Sequence, residues 1–150
     1  MKKRLIGIGI AFIALLVLML MNKKEVKLEQ QGGYTLTTIG SRGLQLNSTL
    51  AIHNPNLLSS TIQSINQKYS INGLTVASLE IELSQGISGR KTTTFPVSVR
   101  FSKDDLVKAM NGDTLATAAP LHITGEIIYK NFTGGGTIKV DLNDSIKLQI

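Results

Sequence analysis

The pattern of apolar and polar positions changes period once along this chain, near residue 22, and the two parts predict different structures. From Leu5 to Met21 no residue carries a charge. As a helix rising ~1.5 Å per residue this run spans roughly 26 Å, slightly less than the ~30 Å hydrocarbon core of a bilayer. Lys23 and Lys24 follow at once, and their aliphatic stems can cover the shortfall while the ammonium groups reach water. The run therefore predicts a single transmembrane anchor limited by Leu5 and Met21. A cleaved signal peptide is the competing reading. The exit Leu18-Met19-Leu20-Met21-Asn22 lacks small residues at the A-x-A spacing that cleavage requires, so the anchor is expected to remain. Residues 1–23 form the cytoplasmic tip and anchor, and 24–150 the folded domain.

Beyond the anchor, apolar residues recur at every second position, as in strands buried on one face. Leu44, Leu46, Leu50 and Ile52 lie on one side, with Gln45, Asn47, Thr49 and His53 on the other. The period returns in Phe95, Val97, Val99 and Phe101 against Thr94, Ser98 and Arg100. It returns again in Leu121, Ile123, Ile127 and Tyr129, and in Ile138, Val140 and Leu142. Asn72-Gly73, between Ile71 and Leu74, is a two-residue hairpin signal, since both positions require positive φ. Gly134-Gly135-Gly136 reads as a loop between a strand ending near Phe132 and one starting at Thr137. No helix follows it, so it does not read as a phosphate-binding loop.

One segment departs from the strand period. Leu106, Val107 and Met110 follow Ser102-Lys103-Asp104-Asp105 at helical spacing. Ser102 suits the N-cap, the two aspartates suit the positive end of the helix dipole, and Gly112 suits the left-handed C′ position. Short strands at 8- to 15-residue intervals with this one helix predict an all-β, antiparallel two-layer sandwich behind an N-terminal transmembrane helix.

Charge changes this picture little. The net charge is +6, but Lys2, Lys3 and Arg4 account for half of it, and no basic stripe interleaves with aromatics. No nucleic-acid partner is expected. The basic head favours an N-terminus in the cytoplasm and a domain on the extracytoplasmic side. Gly7 and Ala11 form a small-x-x-x-small pair, so the expected state is a monomer or weak dimer.

Candidate chemistry is sparse. Without cysteine, thiolate chemistry and thiolate metal sites are excluded. His53 and His122 read as surface histidines, Glu80 and Glu82 as a solvated strand face, and Asp104 and Asp105 as helix-capping carboxylates. No serine sits in a nucleophile-elbow context. No catalytic residue, metal site or cofactor is expected, and the chain does not read as an enzyme.

A more specific constellation remains. A long alternating strand ends in Ile52-His53-Asn54-Pro55-Asn56, where Pro55 cannot donate to a ladder and keeps Asn54 extended. Some residues later comes Ile71-Asn72-Gly73-Leu74-Thr75-Val76-Ala77. This arrangement resembles the late embryogenesis abundant type 2 family, the water stress and hypersensitive response (WHy) domain. That family shows Asn-Pro-Asn after a hydrophobic strand and an Asn-Gly hairpin before Val-Ala. Asn54, Pro55 and Asn56 match the first motif, and Asn72, Gly73, Val76 and Ala77 the second. Thr92-Thr93-Thr94-Phe95-Pro96-Val97 and Leu121-His122-Ile123-Thr124-Gly125-Glu126 are similar to two later strands of the family. The glycines of Gln31-Gly32-Gly33 and Gly40 depart from it.

The resemblance implies an immunoglobulin- or fibronectin type III-like sandwich, non-enzymatic and often membrane-attached. It further implies a role in desiccation or osmotic stress protection, or accessory binding at the envelope. A lipid-binding or lipid-transfer module and a structural subunit of an envelope assembly are the alternatives. The implied partners are the bilayer and either a lipid or another envelope protein. The two motifs are expected to be structural.

Overall fold

The computed structural model describes residues 2–113 and 117–148, with side chains described from Ile10 onward. Helix α1 (Lys2–Met21) is followed by β1 (Lys27–Ile39), β2 (Gly43–Asn54), β3 (Ser60–Ile71), β4 (Leu74–Ile87) and β5 (Lys91–Ser102). Helix α2 (Lys103–Ala109), β6 (Ala118–Asn131) and β7 (Gly134–Lys147) complete the order. One sheet runs β1-β2-β5 and the other β4-β3-β6-β7, with every neighbouring pair antiparallel. The all-β sandwich and its short helix are those the alternation predicts.

The alternation translates directly into burial, because side chains on successive strand residues point to opposite faces. Leu50, Ile52, Ile123 and Ile127 are fully buried, and Phe95, Val97, Val99 and Phe101 join them in one core between the sheets. On β4, Leu79, Ile81 and Leu83 are half-buried while Glu80 and Glu82 are exposed. That is the solvated face the sequence implies on an edge strand.

The expected anchor, Leu5 to Met21, coincides with most of α1. Residues 5–9, and Gly7 of the small-residue pair, lie outside those with described side chains. Among the described residues no helix is long and apolar enough to cross a membrane.

Two local readings need correction. The glycine triplet is not the β6–β7 loop: the turn is Phe132-Thr133, and all three glycines belong to β7. Asn131 Oδ1 accepts from the N–H and the hydroxyl of Thr133, both at 3.0 Å, and so closes the chain earlier. Gly136 instead makes room for an aromatic ring, and Gly135 for the Tyr129 carbonyl. A Cβ on Gly136, which pairs with Tyr129, would meet its hydroxyl oxygen at 2.5 Å. The second correction is at the end of α2. The cap is Met110, so Asn111 (φ 54) takes the first left-handed position and Gly112 (φ 78) the next. Asparagine tolerates that conformation through its short polar side chain. At the other end Ser102 caps as expected: its Oγ accepts from the Asp105 N–H at 3.0 Å and donates to Asp105 Oδ2 at 2.7 Å.

Candidate functional site

The residues that carry the family motifs separate to the two ends of β3. Asn72 and Gly73 form the β3–β4 turn with φ of 49 and 80, and Asn72 Nδ2 donates to the Ala109 carbonyl at 3.0 Å. This fastens the hairpin to the end of α2. Asn54, Pro55 and Asn56 lie at the opposite end, beside the exit of α1.

There the three residues build a joint. Asn54 and Asn56 are fully buried, and so is Asn22, one residue past α1. Asn54 Nδ2 donates to the carbonyls of Leu58 (2.9 Å) and Ile87 (3.1 Å). Its Oδ1 accepts from the Asn56 backbone N–H (3.1 Å) and from Asn56 Nδ2 (3.0 Å). The Asn56 amide pairs with the backbone of Lys24: Nδ2 donates to its carbonyl and Oδ1 accepts from its N–H, each at 2.9 Å. The side chain thus supplies a ladder rung to the segment between α1 and β1.

Asn22 completes the joint. Its Nδ2 donates to the Leu18 carbonyl at 2.6 Å, satisfying one of the free carbonyls at the helix end. Its Oδ1 accepts from the Leu58 N–H at 2.7 Å, and its carbonyl, 3.1 Å from Thr133 Oγ1, shares that hydroxyl's one hydrogen with Asn131 Oδ1. The helix end is therefore held by the β2–β3 and β6–β7 turns together. A buried amide is stable only when its donors and acceptors are paired, and here each amide uses both functions.

A second polar cluster bridges the sheets inside the core. Gln31 of β1 and Gln67 of β3 exchange side-chain hydrogen bonds at 2.8 and 3.2 Å, and the Tyr69 hydroxyl donates to Gln67 Oε1 at 2.7 Å. Burial pushes the Tyr69 phenol up to about 12, against weaker lowering by Gln31 and Ser48. The Tyr34 phenol rises to about 12 as well, first through burial and then through the negative charge of Asp144. Raised phenol pKa values in the folded state mean that the neutral forms are stabilised. That stability is complete below the unfolded value of about 10 and disappears as pH climbs towards 12. For the nearly inaccessible Tyr69 the difference is worth up to ~3 kcal/mol. Urea titrations of the full chain at pH 8 and above pH 11 should show this loss, with Tyr34 and Tyr69 ionising only as pH climbs towards 12. Ionisation of every tyrosine near pH 10 with the fold intact would contradict it.

The histidines acquire carboxylate neighbours that the sequence did not show. His122 Nε2 lies 2.7 Å from Asp141 Oδ1. His53 Nδ1 lies 3.0 Å from Thr92 Oγ1 and 3.7 Å from Glu29 Oε1, and Thr92 Oγ1 donates to Glu29 Oε2 at 2.9 Å. Hydroxyl, imidazole and carboxylate thus meet, but in the wrong order for a relay. A catalytic triad places its nucleophile and its acid on opposite ring nitrogens, whereas both groups here lie on Nδ1. Half-exposed, this cluster works as a cross-strand surface network. Among the described residues no group of three or more carboxylates or imidazoles is placed to hold a metal ion.

Two clefts are open to solvent. One of about 450 Å³ lies along the outer face of β4, β3 and β6. The other, about 470 Å³, follows the edge where β1 meets β7, with Leu28, Ile138 and Leu142 in its lining.

Comparison with solved structures finds this sandwich elsewhere. A protein from Archaeoglobus fulgidus superposes with a TM-score of 0.61 at 11% identity, covering 83% of this chain and 99% of that one. A protein from Arabidopsis thaliana, solved in solution, superposes with a TM-score of 0.66 at 14% identity, covering 83% and 85%. At such identities the likeness shows the fold alone. Comparison with curated proteins finds no match. The model of the late embryogenesis abundant protein family matches residues 49–146, a span that includes the Asn-Pro-Asn residues and the Asn-Gly hairpin. The chain belongs to the late embryogenesis abundant type 2 family.

Proposed function

We propose that this protein is a non-enzymatic, membrane-anchored member of its family that protects a membrane during desiccation or osmotic stress by binding rather than by reaction. The observation that carries this reading is the state of α1. Ile10, Phe12, Ile13 and Leu20 are each more than 60% exposed, and the helix projects from a sandwich that is already closed. Contiguous exposed apolar surface of this size marks a partner or a membrane. The uncharged run that begins at Leu5 continues it towards the basic residues Lys2, Lys3 and Arg4. Those residues support a cytoplasmic N-terminus, with the sandwich on the extracytoplasmic side.

The joint supports the same reading. Three buried asparagines hold the end of α1 against the sandwich, so the domain has little freedom to swing on a linker and works close to the bilayer. The edge groove by Leu28 and Leu142 begins next to the joint and favours lipid handling as the second reading. Vesicles carrying the full chain should retain an entrapped dye through drying and rehydration better than empty vesicles. Equal leakage from both would remove the protective role, and transfer of labelled lipid between vesicles would bring the second reading forward.

A further inference from the structure

The charges of the sandwich are not evenly spread. Around the end that carries α1, the exposed basic residues are Lys23, Lys24, Lys27, Arg90, Lys91 and Lys130. Glu25 is the acid among them, and Glu29, slightly further up, is occupied by Thr92. The opposite end is balanced, with Arg42, Lys103, Lys108 and Lys147 against Asp104, Asp105, Asp113 and Asp144. Lysines beside a membrane helix are ordinary, but Arg90, Lys91 and Lys130 come from distant parts of the chain. The fold brings them here: the Arg90 N–H donates to the Asn56 carbonyl at 2.9 Å, Lys91 pairs with Asn54, and Lys130 closes β6 opposite Thr61.

Two apolar side chains protrude from the same end. Leu57 is 40% exposed and Phe132 48%. Each is one residue before a group that grips Asn22, Leu58 in one case and Thr133 in the other, so they flank the helix exit. An apolar pair ringed by cations matches the interfacial layer of a negatively charged bilayer. Apolar tips can enter the headgroup region there, and each nearby Lys or Arg is attracted by the surface potential.

We infer that this end of the sandwich is a docking face for anionic lipid headgroups, with Leu57 and Phe132 seated in the interface and Arg90, Lys91 and Lys130 holding the charge. The inference rests on the reading of α1 as the anchor and adds to it a specific face and a lipid class. Docking would fix the tilt of the domain, stand the strands end-on to the membrane, and weaken as salt screens the surface charge.

The chain contains no tryptophan, so Phe132→Trp introduces a unique fluorophore. Leu74→Trp, at the exposed first residue of β4 on the opposite end, is the control. Both full-length variants are reconstituted into vesicles of phosphatidylcholine with or without phosphatidylglycerol and containing brominated lipid as quencher. The expected result is quenching of Phe132→Trp about twofold stronger in the anionic vesicles, with Leu74→Trp unquenched in both. Adding R90E, K91E and K130E to the Phe132→Trp chain should return it to the neutral-vesicle value. Equal quenching in the two lipid mixtures would overturn the anionic preference. An unquenched Phe132→Trp in chains that float with the vesicles would overturn the docking face while leaving the anchor intact. Failure of the chain to float with vesicles would overturn the anchor and the docking face together.

Discussion

Replacing Asn54 by alanine is expected to destabilise the sandwich by about 3–5 kcal/mol, although no apolar contact of consequence is lost. The wild-type side chain donates to two buried carbonyls, those of Leu58 and Ile87, and accepts from both N–H groups that Asn56 directs at it. Alanine removes all four bonds; Asn56 Nδ2 keeps the Lys24 carbonyl, but each buried group left unpaired costs about 1–3 kcal/mol before relaxation and water entry recover part of it. Asn54→Asp separates the two halves of the effect. Its carboxylate can still accept from Asn56 but places negative charge against the Leu58 and Ile87 carbonyls, so at neutral pH it should be at least as damaging. Urea titration of the full chain in detergent, followed by the β signal in circular dichroism, would measure both. A shift of the midpoint at constant slope is the expected form. A loss below about 1 kcal/mol for Asn54→Ala would mean that water or a rearranged turn satisfies the site.

The joint also shows which part of the structure was legible in the sequence. Pro55 and the end of the apolar alternation marked the strand stop, and β2 indeed ends at Asn54. The partners of Asn54 and Asn56 were not legible. Lys24, which Asn56 grips, lies 32 residues earlier, and Ile87, which Asn54 reaches, 33 residues later, and no local pattern encodes which backbone a side-chain amide will meet. The hairpin at Asn72-Gly73 is the contrasting case, because its geometry follows from the conformational preference of those two residues alone.

The core was legible almost residue by residue, since a period of two maps onto a sheet face without further information. Even the interior polar cluster left a trace. The inward stripes are interrupted at Ser48 on β2, Gln67 on β3 and Gly125 on β6, and Gln67 pairs with Gly125 across the ladder. Gaps that coincide in three strands point to a polar level inside the sandwich. Gln31 could not be read in this way. Irregularities between Leu28 and Gln30 and between Gly32 and Thr35 break the period of β1, so the side it faces cannot be counted from its neighbours. The glycine triplet was misread for a related reason: glycine serves loops and close approaches alike, and only the position of the Tyr129 ring distinguishes the two.

The other large effect concerns α1. Ile10, Phe12, Ile13, Leu15, Leu16, Val17, Met19, Leu20 and Met21 are all substantially exposed. Withdrawing a large aliphatic or aromatic side chain from water is worth about 1.5–3 kcal/mol. Even with partial exposure in the reference state, these residues together favour a hydrocarbon environment by on the order of 10 kcal/mol. Release into water would therefore be undetectable under any mild wash, and peripheral attachment through charge alone would behave quite differently. Alkaline carbonate extraction of membranes from cells producing the full chain, with a reporter fused after Ile150, measures this together with orientation. The chain should remain wholly in the membrane pellet with the reporter active outside the cytoplasm, whereas its appearance in the carbonate supernatant, or a reporter active only inside, would contradict the anchored extracytoplasmic sandwich.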